Sequence, residues 1–300
     1  MPRTKYQKGL ILIAVTTLIL GVAGVASAAF QDVEVSPRAR GMGMSFVAAG
    51  PDAYAPFHNP ASLPWATDIE GAGSYTRPFG YDFSSQSVVS GIAPIGRWGG
   101  VGIGVRRFAV EYLGEDLTGE TTVSLAHGFR VLDDLQSTVA AGWSVNLYSL
   151  DYGTSVSGLD PGSATTVGVN LSAQAVVHER TRVGFYALNV NNPSIGKIDH
   201  EELVRQIGAG VSYSPYRGVT TVLDITNQLG DAVQFRGGTE FEVTKFLWLR
   251  AGLRTEPNIF TAGMGVSHYG ITLDYAFSTG GGTLDTTHQF GISYVLPSGK

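Results

Sequence analysis

Cysteine is absent from all 300 residues, which excludes disulfides and thiolate metal sites. Charge is scarce: 15% of residues are Asp, Glu, Lys or Arg, against roughly 25% in soluble domains. Beyond the first 28 residues no apolar run approaches the ~18 residues of a membrane-crossing helix. Catalytic signatures are missing too, with no Gly-x-Ser-x-Gly and no His-Glu-x-x-His. The six histidines (His58, His127, His178, His200, His268 and His288) are scattered, and His178-Glu179 and His200-Glu201-Glu202 read as polar connections. Asp133-Asp134 reads as a solvated pair in a turn. These absences point away from an enzyme, a bound metal or a cofactor.

What is abundant is glycine, at 40 residues, and aromatics, at 10%, with a mean hydropathy of +0.09. Low charge, many glycines and middling hydropathy suit a β protein with an apolar exterior. Residues 1–28 read as a cleaved signal peptide. Arg3, Lys5 and Lys8 precede the apolar run Gly9 to Val25, and Ala26-Ser27-Ala28 is a small-x-small cleavage site. The alternative is an uncleaved anchor, but Ala-Ser-Ala falls where a peptidase would cut. No cysteine stands there to carry a lipid. Losing the three cations takes the formal charge from −5 to −8. An acidic exported chain is a poor partner for nucleic acid or anionic lipid surfaces. If the mature chain lies in a membrane, it must do so as a closed barrel, because lipid cannot satisfy a free backbone N–H or C=O.

From Ile69 onward the sequence alternates with period two. Ile207, Ala209, Val211 and Tyr213 oppose Gln206, Gly208, Gly210 and Ser212. Trp143, Val145 and Leu147 oppose Ser144, Asn146 and Tyr148, and Ile271, Leu273, Tyr275 and Phe277 oppose Thr272, Asp274 and Ala276. One apolar face and one small or polar face means strands between unlike environments. Fourteen such segments are expected, at 69–77, 83–94, 98–111, 120–130, 136–151, 165–178, 181–191, 202–214, 218–227, 233–243, 246–255, 258–267, 269–278 and 285–296. Connections after even strands are mostly short, such as HER and TK; those after odd strands tend to be longer, such as YLGEDLTGE, DYGTSVSGLDPGSA and STGGGTLDT. Outer-membrane barrels sort short periplasmic turns and longer outside loops in this way, whereas a soluble sandwich has no reason to. The expected fold is therefore all-β: a transmembrane antiparallel barrel of 14 strands over 69–300, with both termini periplasmic.

The stretch 29–68 fits neither a surface helix nor a strand. It is rich in small residues and holds Pro56, Pro60 and Pro64 in loop contexts. A fourteen-stranded lumen is too wide for wall side chains to fill, so a plug is expected there. Inward polar groups of the wall would then pair with the plug's backbone.

SPRARGMGMSFVAAGPDAYAPFHNPASLPW resembles the N-terminal motif of the FadL-like outer-membrane proteins, and more closely their PorV/PorQ branch. The matching residues are Gly41, Met42, Gly43, Phe46, Asp52, Ala53, Asn59, Pro60, Ala61 and Leu63. The end of the chain, with Gly291, Tyr294 and Leu296, resembles the signal read by the bacterial outer-membrane assembly machinery. It departs from that pattern in its tail, Pro297-Ser298-Gly299-Lys300. The resemblance implies a hatch inside a fourteen-stranded barrel of a Gram-negative-type outer membrane. It also implies uptake of a small hydrophobic, fatty-acid-like ligand, with a shift of the hatch and a kink in strand three opening a path sideways into the surrounding lipid. A PorV-like role beside a type IX secretion partner, or a structural barrel without transport, are the alternatives.

Gly100, Gly102 and Gly104 on the third strand would either permit such an opening or make room for bulky hatch side chains. Arg106 and Arg107 are adjacent, so one faces the lumen, as a ligand's partner or as a rim charge. Deleting Gly41 to Leu63 should leave an assembled barrel with a raised leak conductance in planar bilayers. An unchanged leak would rule out a plug.

Overall fold

The computed structural model describes Phe30 and residues 34–153, 162–196, 200–281 and 284–296. The expected signal peptide, most of DYGTSVSGLDPGSA and the last four residues lie outside them. Alternating sequence becomes strand after strand: β1 (Ile69–Arg77), β2 (Ser84–Pro94), β3 (Gly100–Tyr112), β4 (Glu115–Asp133), β5 (Ser137–Tyr152), β6 (Gly162–Val177) and β7 (Thr181–Leu188). A two-residue pair, β8 (Ser194–Ile195) and β9 (Glu201–Glu202), interrupts the series. It resumes with β10 (Gln206–Tyr213), β11 (Val219–Gln228), β12 (Val233–Thr244), β13 (Leu247–Arg254), β14 (Ile259–His268), β15 (Ile271–Ser278) and β16 (Thr287–Leu296). Leaving out β8 and β9, fourteen antiparallel strands close into one barrel, each paired with its sequence neighbours. Closure is made by β1 and β16, in register from Ile69↔Leu296 to Arg77↔His288. No strand is left with an open edge, as a lipid surrounding requires.

The period-two pattern sets which face is which. Val145, Leu147, Ile207, Leu223, Leu273, Phe290 and Ile292 point outward, while Ser144, Asn146, Gln206, Ser212 and Gln289 are buried within. Exposed aromatics gather at the rims. Trp98, Tyr216, Phe246 and Tyr269 stand at the short-turn end, and Tyr81 stacks on Phe83 at the other. Amphipathic rings at both margins of an apolar band are the girdles of a membrane barrel. Tyr294 and Leu296 of the C-terminal strand also face out, and Gly291 faces in.

Two connections differ from the sequence-based expectation. YLGEDLTGE is not a loop: β3 and β4 continue toward each other, pairing Tyr112↔Glu115 across a two-residue turn. Leu113 (φ 52°) and Gly114 (φ 82°) both adopt the left-handed conformation that a tight hairpin demands, and one register shift at Val110/Glu111 absorbs the mismatch. The segment 202–214 is a strand only from Gln206. Before it, Leu203 turns inward and is buried beside Phe30, Tyr148, Leu150 and Ile195.

The lipid-facing wall yields a direct test. Leu223 lies in mid-strand and points outward, so Leu223→Arg should cost about 2–4 kcal/mol of barrel stability in vesicles. Equilibrium unfolding in urea with reconstituted lipid measures it.

Candidate functional site

No residue from 34 to 66 is exposed, and the segment touches strands on opposite sides of a closed barrel. That is possible only from inside the lumen. Its first element is a single helical turn, α1 (Pro37–Gly41), with Pro37 at the first position and the Ser36 hydroxyl accepting from the Ala39 N–H at 3.3 Å. α1 lies against β13 to β16. A 3-10 turn, Pro60–Trp65, lies against β2 to β6. Asn59 caps it through Oδ1, accepting from Ala61 N–H at 3.0 Å, while its Nδ2 donates to the Val47 carbonyl. One 2%-exposed asparagine thus ties two loops of the segment together.

The wall completes the segment's hydrogen bonding, strand by strand. Ser74, Ser90 and Ser124 donate to the carbonyls of Val35 (2.7 Å), Ala53 (2.6 Å) and Pro56 (3.1 Å). Asp224 Oδ2 accepts from both Phe46 N–H (2.8 Å) and Val47 N–H (3.0 Å). Ser172 Oγ accepts from Ala61 N–H at 2.9 Å, and Gln174 donates to the Ala49 carbonyl at 3.0 Å. An irregular backbone survives away from water because side chains from β1, β2, β4, β6 and β11, on different sides of the lumen, reach in to pair it.

Charge reinforces the same seat. Arg38 binds Glu240 through two nitrogens, at 2.9 and 3.0 Å, and lies 3.8 Å from Asp52. Arg250 shares Glu240 at 2.7 Å and also pairs with Asp274. The Glu240 carboxylate holds the Arg38 guanidinium well above its ordinary value. Burial raises Asp52, with the charges of His58 and Arg38 pulling the other way. On the far side, His58 Nε2 lies 2.8 Å from Glu34 Oε1, and Phe46 stacks on the imidazole at 4.3 Å.

Glycine shapes the socket. A Cβ at Gly238 or Gly252 would strike Met42 or Gly43, one at Gly263 would crowd Gly41, and one at Gly142 would strike Pro60 and Ala61. Gly43 itself needs its left-handed φ of +72°, and a Cβ there would strike the carbonyls of Gly237 and Leu253. Gly100, Gly102 and Gly104 face inward and leave room for Leu63, Pro56 and Phe57. Around them β3 is paired without a break, from Ser84↔Val110 to Pro94↔Gly100 on one side and from Gly100↔Gly128 to Val110↔Thr118 on the other. The wall is closed there. Of the two arginines, Arg106 faces the lumen and Arg107 is exposed at the rim.

Above the segment lies a cavity of about 90 Å³, lined by apolar Phe46, Phe57, Leu188 and Val204 and by polar Arg106 and Gln206, among others. His58 and Glu34 form part of its floor, and His58 also borders a smaller void of about 10 Å³ beside Arg38 and Asp52. Phe30, its ring edge-on to Tyr148 at 5.0 Å, lines the cavity too. Tyr148 lies toward the long-connection end of β5, so the described chain begins there, while β16 ends at the short-turn rim. Among the described residues no group of His, Asp and Glu is arranged to hold a metal.

The motif residues Gly41, Met42, Gly43, Phe46, Asn59, Pro60 and Ala61 all lie in this luminal segment. Its wall partners were not visible in sequence. Asp224, Glu240 and Arg250 carry no local signal of their partners, and only an inward-glycine count along the alternating strands could have hinted at the socket. Gly142→Leu should expel the plug from an otherwise assembled barrel, read as increased conductance with unchanged heat-modifiable migration on gels.

No family model matches the chain, and no curated protein matches it. Solved structures do resemble it. The Ralstonia pickettii toluene transporter TbuX is 14% identical, with 90% of this chain and 100% of that one covered at a TM-score of 0.62. The monoaromatic hydrocarbon channel CymD is 13% identical, covering 91% and 100%, also at 0.62. A Pseudomonas aeruginosa FadL homologue is 11% identical, covering 88% and 98%, at 0.57. At these identities the likeness is one of fold.

Proposed function

We propose that the protein is an outer-membrane channel for small hydrophobic molecules, with residues 34–65 as its hatch and no enzymatic role. The observation that carries this reading is the cavity, lined by both apolar and polar side chains, between the hatch and the long-connection end of a lipid-facing barrel. Pockets with an apolar body and a few placed polar groups are the usual form of a small-molecule site. Support also comes from the structural neighbours, which are described as toluene transporters, a hydrocarbon channel and a FadL homologue. They lend nothing to the PorV/PorQ branch or to a secretion partner.

In this reading a molecule enters from the long-connection end, rests above His58 and Phe46, and passes when the hatch shifts. The β3 glycines seat Pro56, Phe57 and Leu63 in the resting state. Withdrawal of those side chains leaves a bare stretch of wall beside the bilayer, which is where an apolar molecule would leave without crossing water. The partners implied are membrane lipid, the ligand and, through Gly291, Tyr294 and Leu296, the assembly machinery.

The absence of native cysteine gives a clean test. Ser90 Oγ lies 2.6 Å from the Ala53 carbonyl, so Ala53→Cys with Ser90→Cys should lock hatch to wall when oxidised. Toluene flux into proteoliposomes should stop on oxidation and return on reduction. Flux that persists through complete crosslinking would refute hatch movement.

A further inference from the structure

Two arginines at the short-turn end touch the last turn of the hatch, and they are differently placed. Arg130, on β4, donates Nη2 to the Pro64 carbonyl at 3.3 Å and pairs through Nη1 with Asp133 at 3.0 Å. Arg182 is the second residue of β7, in the inward series that continues with Gly184, set against Val47, and buried Tyr186. Its guanidinium lies over the Trp65 ring, 5.3 Å from the centroid. Among the described residues it has no carboxylate partner and no hydrogen bond, and its Nη1 is wholly buried. The contact with Trp65 attracts the charge but leaves the N–H donors unused.

This charge has company. The short turns β6–β7, β10–β11 and β12–β13 present Arg180, Arg217 and Lys245, all exposed. None of the three is in an ion pair among the described residues. Glu179 in the first turn and Glu242 at the end of β12 are the carboxylates of the same arc, and neither pairs with a cation. Four cations against two acids make a positive arc on one side of the short-turn opening, in a chain whose net charge is −5. Rim cations steer an anion toward the opening, and Arg182 gives it a place to end. A guanidinium partly withdrawn from water without a counter-charge is held at a cost that an arriving carboxylate removes.

We propose, resting on the outer-membrane reading above, that this arc docks an acidic, extended segment of a periplasmic protein, one carboxylate of which enters the lumen and pairs with Arg182 beside Trp65. Charge complementarity selects the partner, because the rim is positive and its deepest cation is reached only through the opening. A lipid headgroup suits the rim cations but does not reach Arg182, which faces the lumen and not the bilayer. A second copy in the same bilayer presents its short-turn end to the same side, so it does not enter this one. Trp65 ends the 3-10 turn whose residues Pro60 to Pro64 are buried, so a segment docked on Arg182 is also in contact with the hatch.

Fluorophore-labelled hexaglutamate is the probe and hexaglutamine its neutral control, against the mature protein in phosphatidylcholine nanodiscs. Fluorescence anisotropy should show the acidic peptide bound and the neutral one not, with binding weakened by added salt. Arg182→Gln should weaken it about tenfold, the weight of one charge-assisted contact, and Arg182→Lys should fall between wild type and Arg182→Gln. Arg217→Gln and Lys245→Gln on the rim should each have a smaller effect, and Arg77→Gln at the opposite end none. Heat-modifiable migration on gels reports that each variant barrel is assembled. Wild type that does not bind hexaglutamate, or binding unmoved by Arg182→Gln, overturns the dock. Binding lost in Arg217→Gln and Lys245→Gln but kept in Arg182→Gln places the anion on the rim at headgroup level and overturns it equally. Any of these failures leaves the channel reading standing, since toluene flux into proteoliposomes decides that separately.

Discussion

Within the bilayer-spanning wall and the buried luminal segment, backbone N–H and C=O groups must find partners without help from water, and the architecture follows from that demand. For the wall the solution is closure: fourteen strands, each paired on both sides, with Ile69↔Leu296 completing the ring. For the plug no ladder is available. Its carbonyls and amides are met by serines, glutamines and one aspartate that the wall strands present inward, and by Asn59 within the plug itself. The inward face of the barrel is polar for this reason as much as for any passing ligand.

Shape is the second demand, and glycine answers it. Met42 and Gly43 lie flat on Gly238 and Gly252, while Pro60 and Ala61 lie on Gly142. Backbone approaches this close tolerate no Cβ, so the plug and socket are matched as knobs to absent side chains. The arginine–carboxylate chain through Arg38, Glu240, Arg250 and Asp274 then fixes register around the lumen, with Arg–carboxylate geometry supplying direction as well as energy. The side that packs Pro56 and Phe57 on β3 has no ion pairs among those described here. Its contacts are apolar, apart from the serine bonds to Ala53 and Pro56.

The cavity is what this packing leaves over. Tyr148, Asn189 and Asn170 join in one hydrogen-bonded network along its wall. A fold shared with hydrocarbon transporters does not by itself dictate a hydrocarbon ligand, because a site's chemistry is set by particular side chains on a common frame.

Strand number, facing and closure were legible in the sequence because a strand between lipid and lumen writes its environment as a period of two, residue by residue. The low charge and the lack of long apolar runs limited the alternatives, and the Gly41–Leu63 motif marked the one segment that could not be wall. The β3–β4 hairpin was misread as a loop because Leu-Gly within a polar stretch looks like any connection until Tyr112 is seen paired with Glu115. What only the tertiary structure decided lies inside the ring. Asp224 serves Phe46 and Val47 across 178 and 177 residues, Arg38 meets Glu240 across 202, and the β3 glycines face Leu63, Pro56 and Phe57 rather than empty space. Local periodicity carries no information about which inward residue will meet which plug atom. That pairing is settled only when the barrel closes and brings opposite walls to the same few ångströms of lumen.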